Sequence, residues 1–150
     1  MRSVDTNVPI RALTGDDPVQ SVTAASFIRA NGPVWVSTMV LVEAYWVLES
    51  VYDRKKPQLV EALIRIIDNQ DLALEDPEVA RAALGLFQAK AKATFEDCVI
   101  LEVARKAGHL PLATFDKALG KMGYYQQRRN QGSSRRKISF HAASRRTSLN

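Results

Sequence analysis

Short apolar runs alternate along this chain with stretches whose apolar residues recur every three or four positions, and that alternation restricts the fold more than any single residue does. A run too short for a helix reads as a buried strand, whereas a period of three to four marks the buried face of a helix. Residues 1–4, with Val8 and Ile10 at the exit, read as the first strand. Asp17 offers an N-cap and Pro18 a first helical position, and Val19, Val22, Ala25, Phe27 and Ile28 carry a helix up to Asn31-Gly32. Val34-Trp35-Val36 follows as a second strand. Ser37 or Thr38 then caps a helix reaching about Tyr52, with Leu41, Ala44, Tyr45, Leu48 and Tyr52 on one face. Residues 54–57 break it, residues 59–67 form an amphipathic helix, and Leu72-Ala73-Leu74 is a brief strand. Asp76-Pro77 caps a helix reaching roughly Lys90, and a further helix over residues 94–107 is closed by Gly108, a residue suited to a left-handed C-cap. Residues 110–113 are the last strand-like run, followed by a short helical piece to about Lys121. Strands alternating with helices predict an α/β fold: parallel strands joined by crossovers, with helices on both faces of a central, mostly parallel sheet.

A chain of 150 residues is one domain's worth. No apolar stretch approaches the ~18 residues of a membrane helix, and no apolar segment follows a basic one at the N-terminus, so a soluble, cytoplasmic protein with no membrane partner is expected. The single cysteine, Cys98, excludes an intrachain disulfide framework and, lacking a His or second Cys at ligand spacing, argues against a structural zinc site. The net charge of +5 is unevenly spread. Residues 126–150 hold seven basic residues and no acidic one, which leaves 14 Lys and Arg against 16 Asp and Glu in residues 1–125. That tail lacks hydrophobic periodicity and reads as disordered.

Four acidic residues, Asp5, Glu43, Asp97 and Asp116, fall where apolar runs meet helix starts or lie inside the adjoining helix. In open α/β sheets ligands bind beyond the carboxyl ends of the strands, where Asp5 and Asp116 would sit. Asp97 in a first helical turn and Glu43 a turn and a half into its helix can face the same rim. Carboxylates gathered there repel unless a cation compensates. Oxygen-only donors suit Mg2+ or Mn2+, ions that activate water and stabilise charge on a phosphodiester, so hydrolysis of nucleic acid is the expected reaction. Each acid also has a plainer reading. Asp97 follows Thr94 at capping-box spacing, Asp5 suits a turn, and Asp116 suits a helix cap. Glu43 interrupts an apolar run and is expected to be partly buried, where an unpaired charge is costly. Cys98 reads as a small buried helix residue, Trp35 and Trp46 as core, and His109 and His141 carry no assigned chemistry.

The motifs Val4-Asp5-Thr6-Asn7-Val8 followed by Arg11, Val42-Glu43-Ala44-Tyr45-Trp46-Val47-Leu48, Phe95-Glu96-Asp97-Cys98-Val99-Ile100 and Ala113-Thr114-Phe115-Asp116-Lys117 together resemble the PIN domain ribonucleases, most closely the VapC-like toxins of toxin-antitoxin pairs. The resemblance spans roughly residues 2–123 and implies a three-layer PIN-like nuclease domain over 1–125 followed by the basic tail, 126–150. It implies a Mg2+- or Mn2+-dependent endoribonuclease in which Asp5, Glu43, Asp97 and Asp116 hold the metal and Asn7 and Thr114 support them. A homodimer and a cognate antitoxin are also implied. Arg11 and the tail cations Arg128, Arg129, Arg135, Arg136 and Lys137 are candidates for contacting RNA phosphates. Two positions depart from the family pattern: Thr94 stands where a further acid is common, and the basic tail follows Gly123 where a last apolar strand is usual. A non-catalytic PIN-like module that holds RNA or protein through its tail is the competing reading.

Overall fold

A computed structural model describes residues 1–114, 116, 119 and 120. At its centre two three-residue strands, β1 (Val34–Val36) and β2 (Leu72–Leu74), pair in parallel, with Val34 opposite Leu72 and Val36 opposite Leu74. On the other side of β1 the first residues of the chain run parallel to it through a single bridge between Ser3 and Trp35. Trp35 N donates to Arg2 O at 2.7 Å and Val4 N to Trp35 O at 3.2 Å, while Val34 N and Val36 O bond toward the β2 side. β1 therefore lies between the N-terminal segment and β2.

Parallel neighbours need crossovers, and here each crossover is a pair of helices. α1 (Asn7–Thr14) and α2 (Pro18–Asn31) return the chain to β1; α3 (Thr38–Ser50) and α4 (Lys56–Ile67) return it to β2. α5 (Pro77–Ala89) and α6 (Phe95–Lys106) follow and pack on each other, and α3 rests against α1, α4 and α6. The helix starts obey local chemistry. Asp17 accepts from the N–H groups of Val19 and Gln20, Ser37 from Val40, Asp76 from Val79 and Thr94 from Asp97, each satisfying donors that a helix leaves orphaned. Gly108, at φ +76°, supplies the left-handed residue after α6.

Fully buried Tyr45, Phe87 and Phe95 bring α3, α5 and α6 together, with ring centroids 5.6 to 6.1 Å apart and mostly edge-to-face. Lys56 at the start of α4 lies over the Phe87 ring and donates to Lys90 O, which ties α4 to the end of α5.

Two expectations are corrected. Val8 and Ile10 lie in α1, not at a strand exit: their i, i+2 spacing imitates strand alternation, but Asp5 caps the N–H groups of Asn7 and Val8, and Pro9 falls in the first turn, where its missing N–H costs nothing. Residues 110–113 form no strand; Pro111 has no N–H to give a ladder. Leu119 and Gly120 are helical as expected, while the expected disordered tail, 126–150, lies outside the described residues.

Candidate functional site

The first carboxylate sits at the end of the N-terminal segment. Asp5 is exposed, and its Oδ1 accepts from Asn7 N at 3.1 Å and Val8 N at 3.4 Å, the turn role that its position suggests. Thr6 occupies the N-cap of α1 but does not cap it. Its side chain, in a residue only 7% exposed, instead donates to Glu43 Oε2 at 2.5 Å, 37 residues away on α3. The segment that carries Asp5 is thereby fastened to Glu43. Thr6 was not singled out from the sequence; the only signal was a small hydroxyl between two polar residues of the first motif.

Glu43 is exposed rather than partly buried, which corrects the expectation from its apolar neighbours. Met39, Glu43 and Trp46 share one side of α3 at steps of four and three, opposite the face built from Leu41, Ala44, Tyr45 and Leu48. Trp46 is accordingly 53% exposed, and Trp35 is 37% exposed, so neither is the core residue its size suggested.

Asp97 lies in the first turn of α6, half-buried. Its N–H bonds to Thr94 Oγ1 at 3.2 Å, while its carboxylate takes no hydrogen bond from any described residue. The start of α6 faces α3 through Phe95 on Tyr45, and Glu96 feels Glu49 across the same gap. Burial, then Asp97 and Glu49, push the Glu96 carboxyl above its usual range. Next to it Cys98 is fully buried and its thiol is raised to about 11, chiefly by burial, so it is no nucleophile near neutral pH.

Asp116 is exposed and begins the turn that includes Leu119 and Gly120. Its Oδ1 accepts from Leu119 N at 2.7 Å, and its own N–H donates to Thr114 Oγ1 at 3.0 Å. Thr114 thus supports the Asp116 backbone, while Asn7 supports Asp5 only through its N–H. Arg11 is occupied: it pairs with Asp16, whose carboxylate also takes hydrogen bonds from Tyr52 at 2.6 Å and Thr14 at 2.7 Å. Tyr52, Thr14 and Arg11 together hold the Asp16 carboxyl well below the usual carboxylate range. Arg128, Arg129, Arg135, Arg136 and Lys137 lie outside the described residues.

Asp5, Glu43 and Asp116 each commit one oxygen to the scaffold and keep the other without a hydrogen bond among the described residues; Asp97 keeps both. That all-oxygen donor set has the chemistry a hard divalent cation takes. Among the described residues, however, no three His, Cys, Asp or Glu side chains stand close enough to hold a metal ion. Asp5 and Glu43 are linked through Thr6, whereas a closed coordination sphere is not formed.

A short parallel sheet with paired helical crossovers defines an α/β domain, with Asp5 where the N-terminal segment meets α1 and Asp97 in the first turn of α6. The chain belongs to the PIN domain family, whose model matches residues 3–123. PIN domains are typically nuclease modules and generally use divalent metals. Neither the curated proteins nor the solved structures provided a match. Among the described residues no helix is long and apolar enough to cross a membrane.

Proposed function

We propose that this PIN domain is a Mg2+- or Mn2+-dependent endoribonuclease, the VapC-like toxin of a toxin-antitoxin pair, in which Asp5, Glu43, Asp97 and Asp116 would hold the metal. The observation that carries the reading is the Thr6 to Glu43 hydrogen bond, which joins the first two acidic motifs of a chain that the PIN family model matches over residues 3–123. When bound, a divalent ion supplies Lewis-acid activation of water and offsets charge on the phosphodiester. The chain's own part is to present oxygens. The α1 cap fixes Asp5, Thr6 fixes Glu43, the first turn of α6 carries Asp97, and Thr114 with Leu119 fixes Asp116. A cognate antitoxin and a second copy of the chain are the proposed partners, and the cytoplasm the proposed location.

The test compares the purified protein with Asp5→Asn and Asp97→Asn on structured RNAs in Mn2+. Cleavage by the unsubstituted protein should fall by at least ~100-fold in either variant, the scale on which loss of a metal-holding or charge-stabilising group acts. Equal cleavage by all three proteins would mean contamination and end the proposal. RNA binding without cleavage, abolished by deleting residues 126–150, would support a binding module instead.

A further inference from the structure

We infer that the outward face of α3, with the start of α6 beside it, is a docking surface for the chain's own basic segment Arg135-Arg136-Lys137-Ile138-Ser139-Phe140. α3 is apolar on both sides. Leu41, Ala44, Tyr45 and Leu48 form its core face, while Met39, 74% exposed, and Trp46 lie on the opposite side with the exposed Glu43 and Glu49 beside them. A helix that is hydrophobic all round is normally covered on every side. On α6, Ile100 and Val103 are exposed at four- and three-residue steps from Glu96, and Glu96 feels Glu49 across the gap between the two helices. The uncovered apolar residues are therefore set among acids.

Charge decides what fits this face. Residues 30–53, which include β1 and α3, contain no Lys or Arg. Among the described residues no Lys or Arg forms an ion pair with Glu43, Glu49, Glu96 or Asp97. A nucleic acid is held chiefly by cations on its phosphates, and this face carries none. The same face of a second copy would set like charges against each other. The matching chemistry lies in residues 126–150, which hold seven basic residues and no acidic one, and in which Ile138 and Phe140 follow three consecutive cations. From Gly120, the last described residue, a coil of about 20 residues to Phe140 has a root-mean-square span of about 25 Å, against a radius of gyration of about 14 Å for a domain of this size. The face is within reach. Tethering at ~1 mM effective concentration lets a segment that binds at only ~100 μM when free cover the face in about nine molecules of ten.

The experiment uses the full chain with neither metal nor RNA, so its result is independent of the nuclease reading. With Trp35→Phe, Trp46 is the sole tryptophan, and acrylamide quenching of its fluorescence is compared at about 0.01 M and about 1 M salt, between which the screening length falls from ~30 to ~3 Å. Quenching should be at least ~3-fold stronger at high salt, as release of a segment that covers the face nine parts in ten requires. Reversal of Arg135, Arg136 and Lys137 to Glu should give the strong quenching at both salt concentrations. A nitroxide on Ser139→Cys, selective because Cys98 is fully buried, supplies a second reading with both tryptophans in place, and decides the matter if Trp35→Phe does not fold. It should broaden the Trp46 indole and Glu49 amide resonances of its own chain, and should leave them sharp in an isotope-labelled chain without nitroxide that is mixed with it. Absence of broadening overturns the inference, as does quenching that responds neither to salt nor to charge reversal. Broadening that persists in the mixed sample overturns it too, since the face would then be covered by a segment of another molecule.

Discussion

At the residue scale, chemistry here is decided by what each polar atom touches. Glu102 shows it outside the candidate site: the residue is 3% exposed on α6, and Arg105, one turn on, donates to its carboxylate. Removing a partner from a buried charge leaves the whole desolvation cost in place, whereas an exposed pair contributes little. Arg105→Ala should therefore destabilise the protein by about 2 kcal/mol in urea titrations. Arg81→Ala, which breaks an exposed pair with Asp68, should cost under ~1 kcal/mol. Equal effects would mean that Glu102 finds water or another partner when Arg105 is gone. Asp97 and Glu43 were legible as candidates because their motifs are local strings of sequence. Thr6 was not, because its partner is 37 residues away. The occupation of Arg11 by Asp16 and Tyr52 was hidden for the same reason.

At the element scale, helix starts were the most readable features, since a cap joins residues two or three apart. Asp17, Ser37, Asp76 and Thr94 all accept from the N–H groups their positions suggest. Asp17 serves two donors at once, and Asp17→Ala should lower stability by about 1 kcal/mol, measured as a shift of the urea midpoint without a change of slope. Asp76 adds a pH dependence. The Lys106 ammonium, at 2.8 Å, and then the Val79 N–H hold its carboxyl below the usual range. A carboxyl depressed in the folded state contributes stability that is complete above its unfolded value of about 3.9 and fades as pH falls through the lower folded value. The stability gap between the unsubstituted protein and Asp76→Asn should hence be constant near neutrality and close in acid below about pH 4. A gap that widens in acid would contradict the assignment. The element misread from sequence, α1, shows the limit of local pattern: Val8 and Ile10 alternate as in a strand, and only the Asp5 cap and the packing of α1 on α2 select the helix.

At the scale of the whole molecule, the packing of Tyr45, Phe87 and Phe95 joins three helices that come from distant parts of the sequence. Phe95 is fully buried and opens α6 two residues before Asp97, so it links the core to the candidate site. Phe95→Ala should cost about 3 to 5 kcal/mol of stability and should loosen the start of α6, read as lost protection of the Asp97 and Cys98 amides in hydrogen exchange. Full protection of those amides would show that α6 is held from its other end. The sequence by itself determined the order of strands and helices from α2 to α6, their N-caps at Asp17, Ser37, Asp76 and Thr94, the α/β class and the family, because those depend on period and on neighbours within one helical turn. Only the tertiary structure decided that β1 lies between the N-terminal segment and β2, that Trp46 faces solvent beside Glu43, and that Thr6 serves Glu43 in place of its own helix. Those outcomes depend on which surfaces the chain brings face to face across long separations, and a period read along the chain carries no information about that.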